Sequence, residues 1–192
     1  TKIIEDRIED IKPCICCHSA CFNFSSSKGH ANTQDLFDTM GLSRCALNPK
    51  TMQSKKYKIE PAKKAKKVAI IGGGIGGMEA AILCAKRGHA VTLYEKRKLG
   101  GTMHEACFDH ELKGDIRFLI DYYCAQMKKP GIAVIEEEAD AAKVLAGNYD
   151  AVIVATGAVP VVAKIQGMDL PNVHSIYEYC QSPSEIELGE HV

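Results

Sequence analysis

Two groups of residues in this chain have the types and spacing for chemistry. The first is a run of thiols. Cys14, Cys16, Cys17 and Cys21 fall within eight residues, and Cys45 follows. Taken as Cys14, Cys17, Cys21 and Cys45, they read C-x2-C-x3-C-x23-C, directly ahead of Ala46-Leu47-Asn48-Pro49. Four thiolates are the donor set of an iron–sulfur cubane or of a closed structural zinc site. Three closely spaced cysteines let one loop wrap one side of such a centre while the fourth arrives from elsewhere. Composition alone does not choose between iron–sulfur and zinc, and free buried thiols are a third reading.

The second group is a glycine loop. Gly72, Gly74 and Gly77 satisfy G-x-G-x-x-G. Alone the motif is weak, and a glycine-rich turn that binds nothing also satisfies it. Its context is what gives it meaning: a strand before, a helix after, and a second strand ending in an acid. In that setting Gly72 permits the tight turn and Gly74 lets a pyrophosphate approach the backbone. Gly77 lets the helix pack close on the strand. The helix start offers unpaired N–H groups and partial positive charge to phosphates. Glu95, 18 residues after Gly77, is placed to accept from both ribose hydroxyls. A 2′-phosphate is repelled there, which favours FAD or NAD over NADP.

The elements that must position these residues are legible from pattern. The runs 67–71 (KVAII), 90–95 (AVTLYE), 132–135 (IAVI) and 150–156 (DAVIVAT) are rich in β-branched residues and read as buried strands. Residues 76–87 are good helix formers stopped by Gly88. Over 111–129, Ile116, Leu119, Ile120, Tyr123 and Met127 recur at helical spacing before Pro130-Gly131 ends the pattern. Strand and helix alternating in this way imply an α/β fold with a parallel sheet. Leu99-Gly100-Gly101 follows Glu95, and Ala155-Thr156-Gly157 closes the fourth strand, where Gly157 lets the chain pass close to a second side of the dinucleotide.

Three zones result: an irregular cysteine-rich segment (1–49), a basic linker (50–66) and a Rossmann-like domain (67–192). The stretch 50–67 holds eight lysines but only one aromatic, Tyr57, so it reads as a solvated linker rather than a nucleic-acid patch. Charge is balanced at 24 basic and 24 acidic residues, which argues against nucleic acid or an anionic membrane as main partner. With 46% hydrophobic residues the chain is globular rather than disordered. Residues 68–85 are apolar enough to mimic a membrane span, but five glycines split them into strand, turn and helix. Nine cysteines, an odd number with four of them inside eight residues, and no secretory leader favour a reducing compartment over a disulfide framework. The first residue is Thr1, and the chain reads as a piece of a longer protein.

The glycine loop, the acid, the Gly100-Gly101 pair and the Ala155-Thr156-Gly157 turn together resemble the two-dinucleotide-binding-domain flavoproteins, whose corresponding segments contact FAD. More specifically, IEDIKPCICCHSAC…CALNP followed by VAIIGGG resembles the flavin- and iron–sulfur-dependent ene-reductases: the NADH:flavin oxidoreductase, 2,4-dienoyl-CoA reductase and 2-enoate reductase group. The likeness runs from about Asp6 to about Cys180. It implies that Cys14, Cys17, Cys21 and Cys45 ligate a [4Fe–4S] cluster and that Cys16 does not. It implies that Gly72, Gly74, Gly77, Glu95, Gly101, Ala155 and Gly157 line FAD, or ADP in its place.

By the same resemblance, NAD(P)H reduces FAD, and the cluster relays electrons to FMN in a (β/α)8 barrel that reduces an activated C=C bond. The barrel and the NAD(P)H-binding domain would be partners of this segment within one cytoplasmic parent protein, with homo-oligomerisation left open. The segment itself would transfer electrons and be inactive alone toward an enoate. Three departures stand out. The gap before Cys45 is longer than the family's, and the extra residues, roughly 24–40, read as a surface helix from Asn32 to Met40. Thr102 stands where Gln is common. The chain stops about where the NAD(P)H insert would begin. Two other classes fit less well: an iron–sulfur flavoprotein reductase of the glutamate-synthase-small-subunit type, and a zinc-stabilised nucleotide-binding module. His18 and His89 read as loop and turn residues, Glu136 to Glu138 as a solvated acidic run, and Cys84 as core. Cys107, Cys124 and Cys180 have no assigned partner.

Overall fold

The computed structural model describes residues 1–18, 21, 45–108, 113–161, 163–186 and 189. The expected surface helix from Asn32 to Met40 lies outside them. Four strands, β1 (Lys67–Ile71), β2 (Ala90–Tyr94), β3 (Ile132–Ile135) and β4 (Ala151–Val154), form one sheet in the order β3-β2-β1-β4. All three pairings are parallel, with Val68 beside both Val91 and Ala151. Parallel neighbours require crossovers, and the helices supply them. α1 (Ile75–Lys86) joins β1 to β2; α2 (Met103–Ala106) and α3 (Gly114–Met127) lie between β2 and β3; α4 (Ala141–Ala146) lies between β3 and β4. α5 (Ile176–Gln181) follows the sheet.

One face of the sheet carries the core. Val68, Ile70, Val91 and Leu93 are buried there against Met78, Ala81 and Ile82 of α1 and Leu119, Tyr123 and Met127 of α3. The helical spacing over 116–127 is what turns Leu119, Tyr123 and Met127 to this side. The two helix ends differ in kind. α1 begins at Gly74 with no side-chain cap, and its C-terminal turn closes through Arg87 ahead of Gly88 at φ +87°. α5 begins with a reciprocal capping box between Ser175 and Glu178.

The 150–156 run differs from the expected core strand. β4 is one edge of the sheet, and alternate residues Val152 and Val154 are 47% and 73% exposed. Nothing among the described residues covers that face of β4, so its continuous apolar run does not mean burial on both sides.

The cysteine-rich segment is docked on the helices. Asp10 is buried and takes hydrogen bonds from Arg7 (2.9 Å), Gln126 (3.0 Å) and Lys129. Lys12 Nζ donates to Glu79 Oε2 at 2.9 Å and to Tyr123 Oη at 3.1 Å, and the Tyr123 hydroxyl donates to the same Glu79 oxygen at 2.8 Å. Burial and that carboxylate push the Tyr123 hydroxyl far above the usual phenol range. The 50–66 stretch is also less solvated than expected, since Gln53 is buried. No helix of the described residues is long and apolar enough to cross a membrane.

Candidate functional site: a glycine-lined cleft

The carboxyl ends of β1, β2 and β4 open onto a cleft of about 910 Å³. Gly72, Gly74, Glu95, Gly101, Ala155 and Gly157 all line it. Gly77 sits just behind. A Cβ there would lie 1.9 Å from the Gly72 carbonyl oxygen, so this glycine is what lets α1 start against the loop. Gly72 is at φ +106°, and a Cβ on it would strike the Ala155 carbonyl oxygen at 2.3 Å. Gly74 differs from both. A Cβ on it would meet nothing nearer than Gly101 Cα at 4.0 Å, and its backbone is at an ordinary φ of −70°. The space beside Gly74 is therefore not required by the protein's own packing.

A second glycine pair backs the first loop. Gly100 N–H donates to the Gly73 carbonyl at 2.9 Å, and Gly74 pairs with Gly100 as an isolated parallel bridge. Gly101 is at φ +56°. His104 fixes this second loop, with Nε2 2.8 Å from the Leu99 carbonyl oxygen. The sequence reading missed His104 and Gly73. A histidine three residues after a Gly-Gly pair carries no pattern that separates it from any loop histidine.

Glu95 is buried at the head of the cleft, 8% exposed. Gly73 N–H donates to its Oε2 at 2.5 Å and Arg97 N–H to its Oε1 at 2.8 Å. Each oxygen keeps a second lone pair for an incoming hydroxyl, so the carboxylate is held in place without being used up. Arg97 in turn pairs with Glu105 at 3.1 Å, and Gln181 of α5 donates to the same Glu105 oxygen at 3.0 Å. At the rim, Lys96 pairs with Glu138 (2.9 Å) and Lys143 with Glu137 (2.7 Å), so two of the three acids in the run 136–138 sit in exposed ion pairs.

These features fit a dinucleotide. The uncapped start of α1 leaves first-turn N–H groups facing the cleft. Gly74 leaves room beside them, and a fixed carboxylate stands at the end of the neighbouring strand. A phosphate and a ribose need those groups in that order.

The thiols are only partly gathered. Cys14 and Cys45 line one cavity that Cys17 and Cys21 do not, and Cys14, Cys17 and Cys21 are all exposed. Among the described residues no three metal-ligating side chains are grouped to hold an ion. Cys16 N–H donates to Cys14 Sγ at 3.3 Å. A hydrogen bond with Asp115 pushes the Cys16 thiol up to about 11, which disfavours its thiolate. Cys107 is buried, and Cys84 packs at the edge of the core. His89 Nδ1 accepts from Lys66 N–H at 3.0 Å in the turn after α1.

Comparison with known proteins agrees with this geometry. Residues 36–144 and 66–191 match the family described as pyridine nucleotide-disulphide oxidoreductase. The chain is 34% identical over 170 residues to a cinnamate reductase of Clostridium sporogenes, covering 88% of this chain and 24% of that protein. It is 35% identical over 173 residues to an NADH oxidase of Thermoanaerobacter brockii, covering 89% and 25%. A 2-naphthoyl-CoA reductase, solved with 2-naphthoyl-CoA, superposes with a TM-score of 0.84 at 33% identity, over 98% of this chain and 27% of that one. The chain thus spans about a quarter of the length of the relatives it matches.

Proposed function

The chain belongs to the pyridine nucleotide-disulphide oxidoreductase family, among the enoate-reductase-like NADH:flavin oxidoreductases, and we propose that it is the FAD-binding, electron-transferring part of such an enzyme. Its support is the single cleft that gathers Gly72, Gly74, Gly101, Ala155 and Gly157 around the start of α1, with Glu95 fixed at its head. Bound there, FAD would supply a two-electron acceptor for hydride. The chain's own residues bind and orient it. The first-turn N–H groups of α1 hold the pyrophosphate, Glu95 accepts from the ribose, and His104 keeps the Gly100-Gly101 loop closed against Gly73. Glu95 also disfavours a 2′-phosphate.

Cys14, Cys17, Cys21 and Cys45 are proposed as ligands of a [4Fe–4S] cluster, in a reducing, cytoplasmic setting. The donor chemistry and the N–H bond onto Cys14 sulfur suit that role. The resemblance of the cysteine loop and the Ala46-Leu47-Asn48-Pro49 ending to those of the iron–sulfur ene-reductases favours it over a zinc module. The parent enzyme is proposed to reduce an activated C=C bond. Its FMN barrel and NAD(P)H domain would be supplied by other parts of that protein.

The test is to purify the chain without oxygen and measure its visible spectrum, iron, sulfide, zinc and flavin. About four iron and four sulfide per chain, as a cubane on four thiolates requires, together with flavin bands, supports the proposal. A colourless chain with about one zinc, as a closed four-thiolate site holds, refutes the electron-transfer reading and leaves a nucleotide-binding module.

A further inference from the structure

We propose that Lys12 is a positioning residue for the thiol site, its ammonium holding the loop of Cys14 to the loop of Cys45, a role that rests on reading those two cysteines as ligands of one centre.

Lys12 lies two residues before Cys14, and Leu47 lies two residues after Cys45. Lys12 Nζ donates to the Leu47 carbonyl oxygen at 3.3 Å, across 35 positions of sequence. It also donates to Glu79 Oε2 on α1 at 2.9 Å and to Tyr123 Oη on α3 at 3.1 Å. An ammonium has three N–H donors, and these three acceptors use them all. The charge is set against Glu79 and near the rings of Tyr122 and Tyr123, at 5.6 and 5.0 Å from their centroids. The Lys12 side chain is 21% exposed, so this ammonium is largely withdrawn from water.

A salt bridge that merely docks the N-terminal segment needs only Glu79. The Leu47 bond does something else, because it ties the two cysteine loops to each other. Apolar contacts act at the same two places. Ile15, next to Cys14, and Leu47 both pack against the core that α1 and α3 share with the sheet. Asn48 closes the second loop: its Oδ1 accepts from Lys50 N–H at 3.1 Å and its carbonyl from Thr51 N–H at 3.1 Å. The protein's own contacts thus bring Cys14 and Cys45 to one cavity. Two thiols held in place reduce the ordering that a metal or cluster must impose on binding.

The test titrates cobalt(II) into the reduced, metal-stripped chain, saturated with FAD and kept free of oxygen. Thiolate-to-cobalt absorption reports how many sulfurs have joined. The parent chain should show that band, and Cys45→Ser should weaken it. Lys12→Met keeps an apolar stem and removes the ammonium. It should bind cobalt about 10- to 100-fold more weakly, the loss seen when groups that orient metal ligands are removed. In the Cys45→Ser background Lys12→Met should cost much less, because the loop it holds no longer carries a ligand. Glu79→Gln, on the other side of the ammonium, should weaken cobalt in the same direction and serves if Lys12→Met fails to fold. No thiolate band in the parent chain, parent-like affinity in the folded variant, or an equal loss with and without Cys45 would overturn the proposal. A chain purified with zinc in place of iron and sulfide would refute the electron-transfer reading alone, since the cobalt result tests Lys12 with either centre.

Discussion

Gly74→Ala and Gly77→Ala should separate binding from folding. The two glycines are three residues apart in one loop, but the structure gives a Cβ opposite fates. At Gly77 it would lie 1.9 Å from the Gly72 carbonyl oxygen and 3.0 Å from its carbon. Backbone cannot swing aside like a side chain, so α1 must lift away from β1. Overpacking of this kind costs about 1–3 kcal/mol or more, and for a chain of this size each kcal/mol moves Tm by about 2–4 °C. Gly77→Ala should therefore lower Tm by about 2–12 °C without any cofactor present. At Gly74 the nearest atom is 4.0 Å away and the backbone suits alanine. The fold should change by less than about 1 kcal/mol, the usual scale for a glycine cap replaced by alanine. FAD is another matter, because the added methyl fills the space proposed for the pyrophosphate. Loss of one charge-assisted hydrogen bond, about 1.5–3 kcal/mol, weakens FAD by about 10- to 150-fold. Thermal unfolding of the flavin-free variants and fluorescence titration with FAD read the two effects separately. If Gly74→Ala binds FAD as the parent chain does, the pyrophosphate does not pass over Gly74 and the site is wrong.

Glu95→Gln replaces a carboxylate that accepts two backbone N–H groups with an amide that can accept only through its oxygen, leaving one buried N–H opposed. We expect a loss of about 1–3 kcal/mol in urea unfolding, together with weaker FAD binding. The Asp10 carboxyl is held well below the usual carboxylate range, first by its hydrogen bond from Lys129 and then by that from Gln126. A depressed carboxylate pKa adds stability above the unfolded value, near pH 4, and that stability is lost as pH falls further. Asp10→Asn should therefore flatten the acid limb of a pH–stability curve below about pH 4. It should also expose residues 1–12 to limited proteolysis. In alkaline titration followed by ultraviolet absorbance, Tyr94, raised to about 12 by its hydrogen bond with Tyr149, should ionise late and Tyr123 later still. Tyr123→Phe should remove the last-ionising phenol and no earlier one.

The sheet and the cleft were legible because their signals are local. KVAII, GGGIGG and the acid after AVTLY fix a strand, a loop and a second strand within 30 residues, and parallel pairing follows from the helix between them. What periodicity could not show was burial on each face. Val152 and Val154 look identical in sequence to Val68 and Val91, and only the strand order makes β4 an edge. The short helices α2 and α4 have too few turns for an amphipathic pattern. α5 was not anticipated, although Ser175 and Glu178 have the spacing of a capping box that marks a helix start. The docking of Lys12 onto Glu79 and Tyr123 joins positions 67 and 111 apart, and no short-range spacing encodes it. The cysteine spacing, by contrast, was plain, but a ligand set is a claim about convergence, and the described residues bring only Cys14 and Cys45 to one cavity.

The most direct test of the dinucleotide site is a crystal structure of the chain with FAD bound. The account predicts the pyrophosphate within hydrogen-bond distance of the first-turn N–H groups of α1, over Gly74. It predicts the ribose hydroxyls on the Glu95 carboxylate, with Gly101 and Gly157 against the cofactor. FAD found elsewhere on the chain, or in this cleft with its ribose turned away from Glu95, would contradict it.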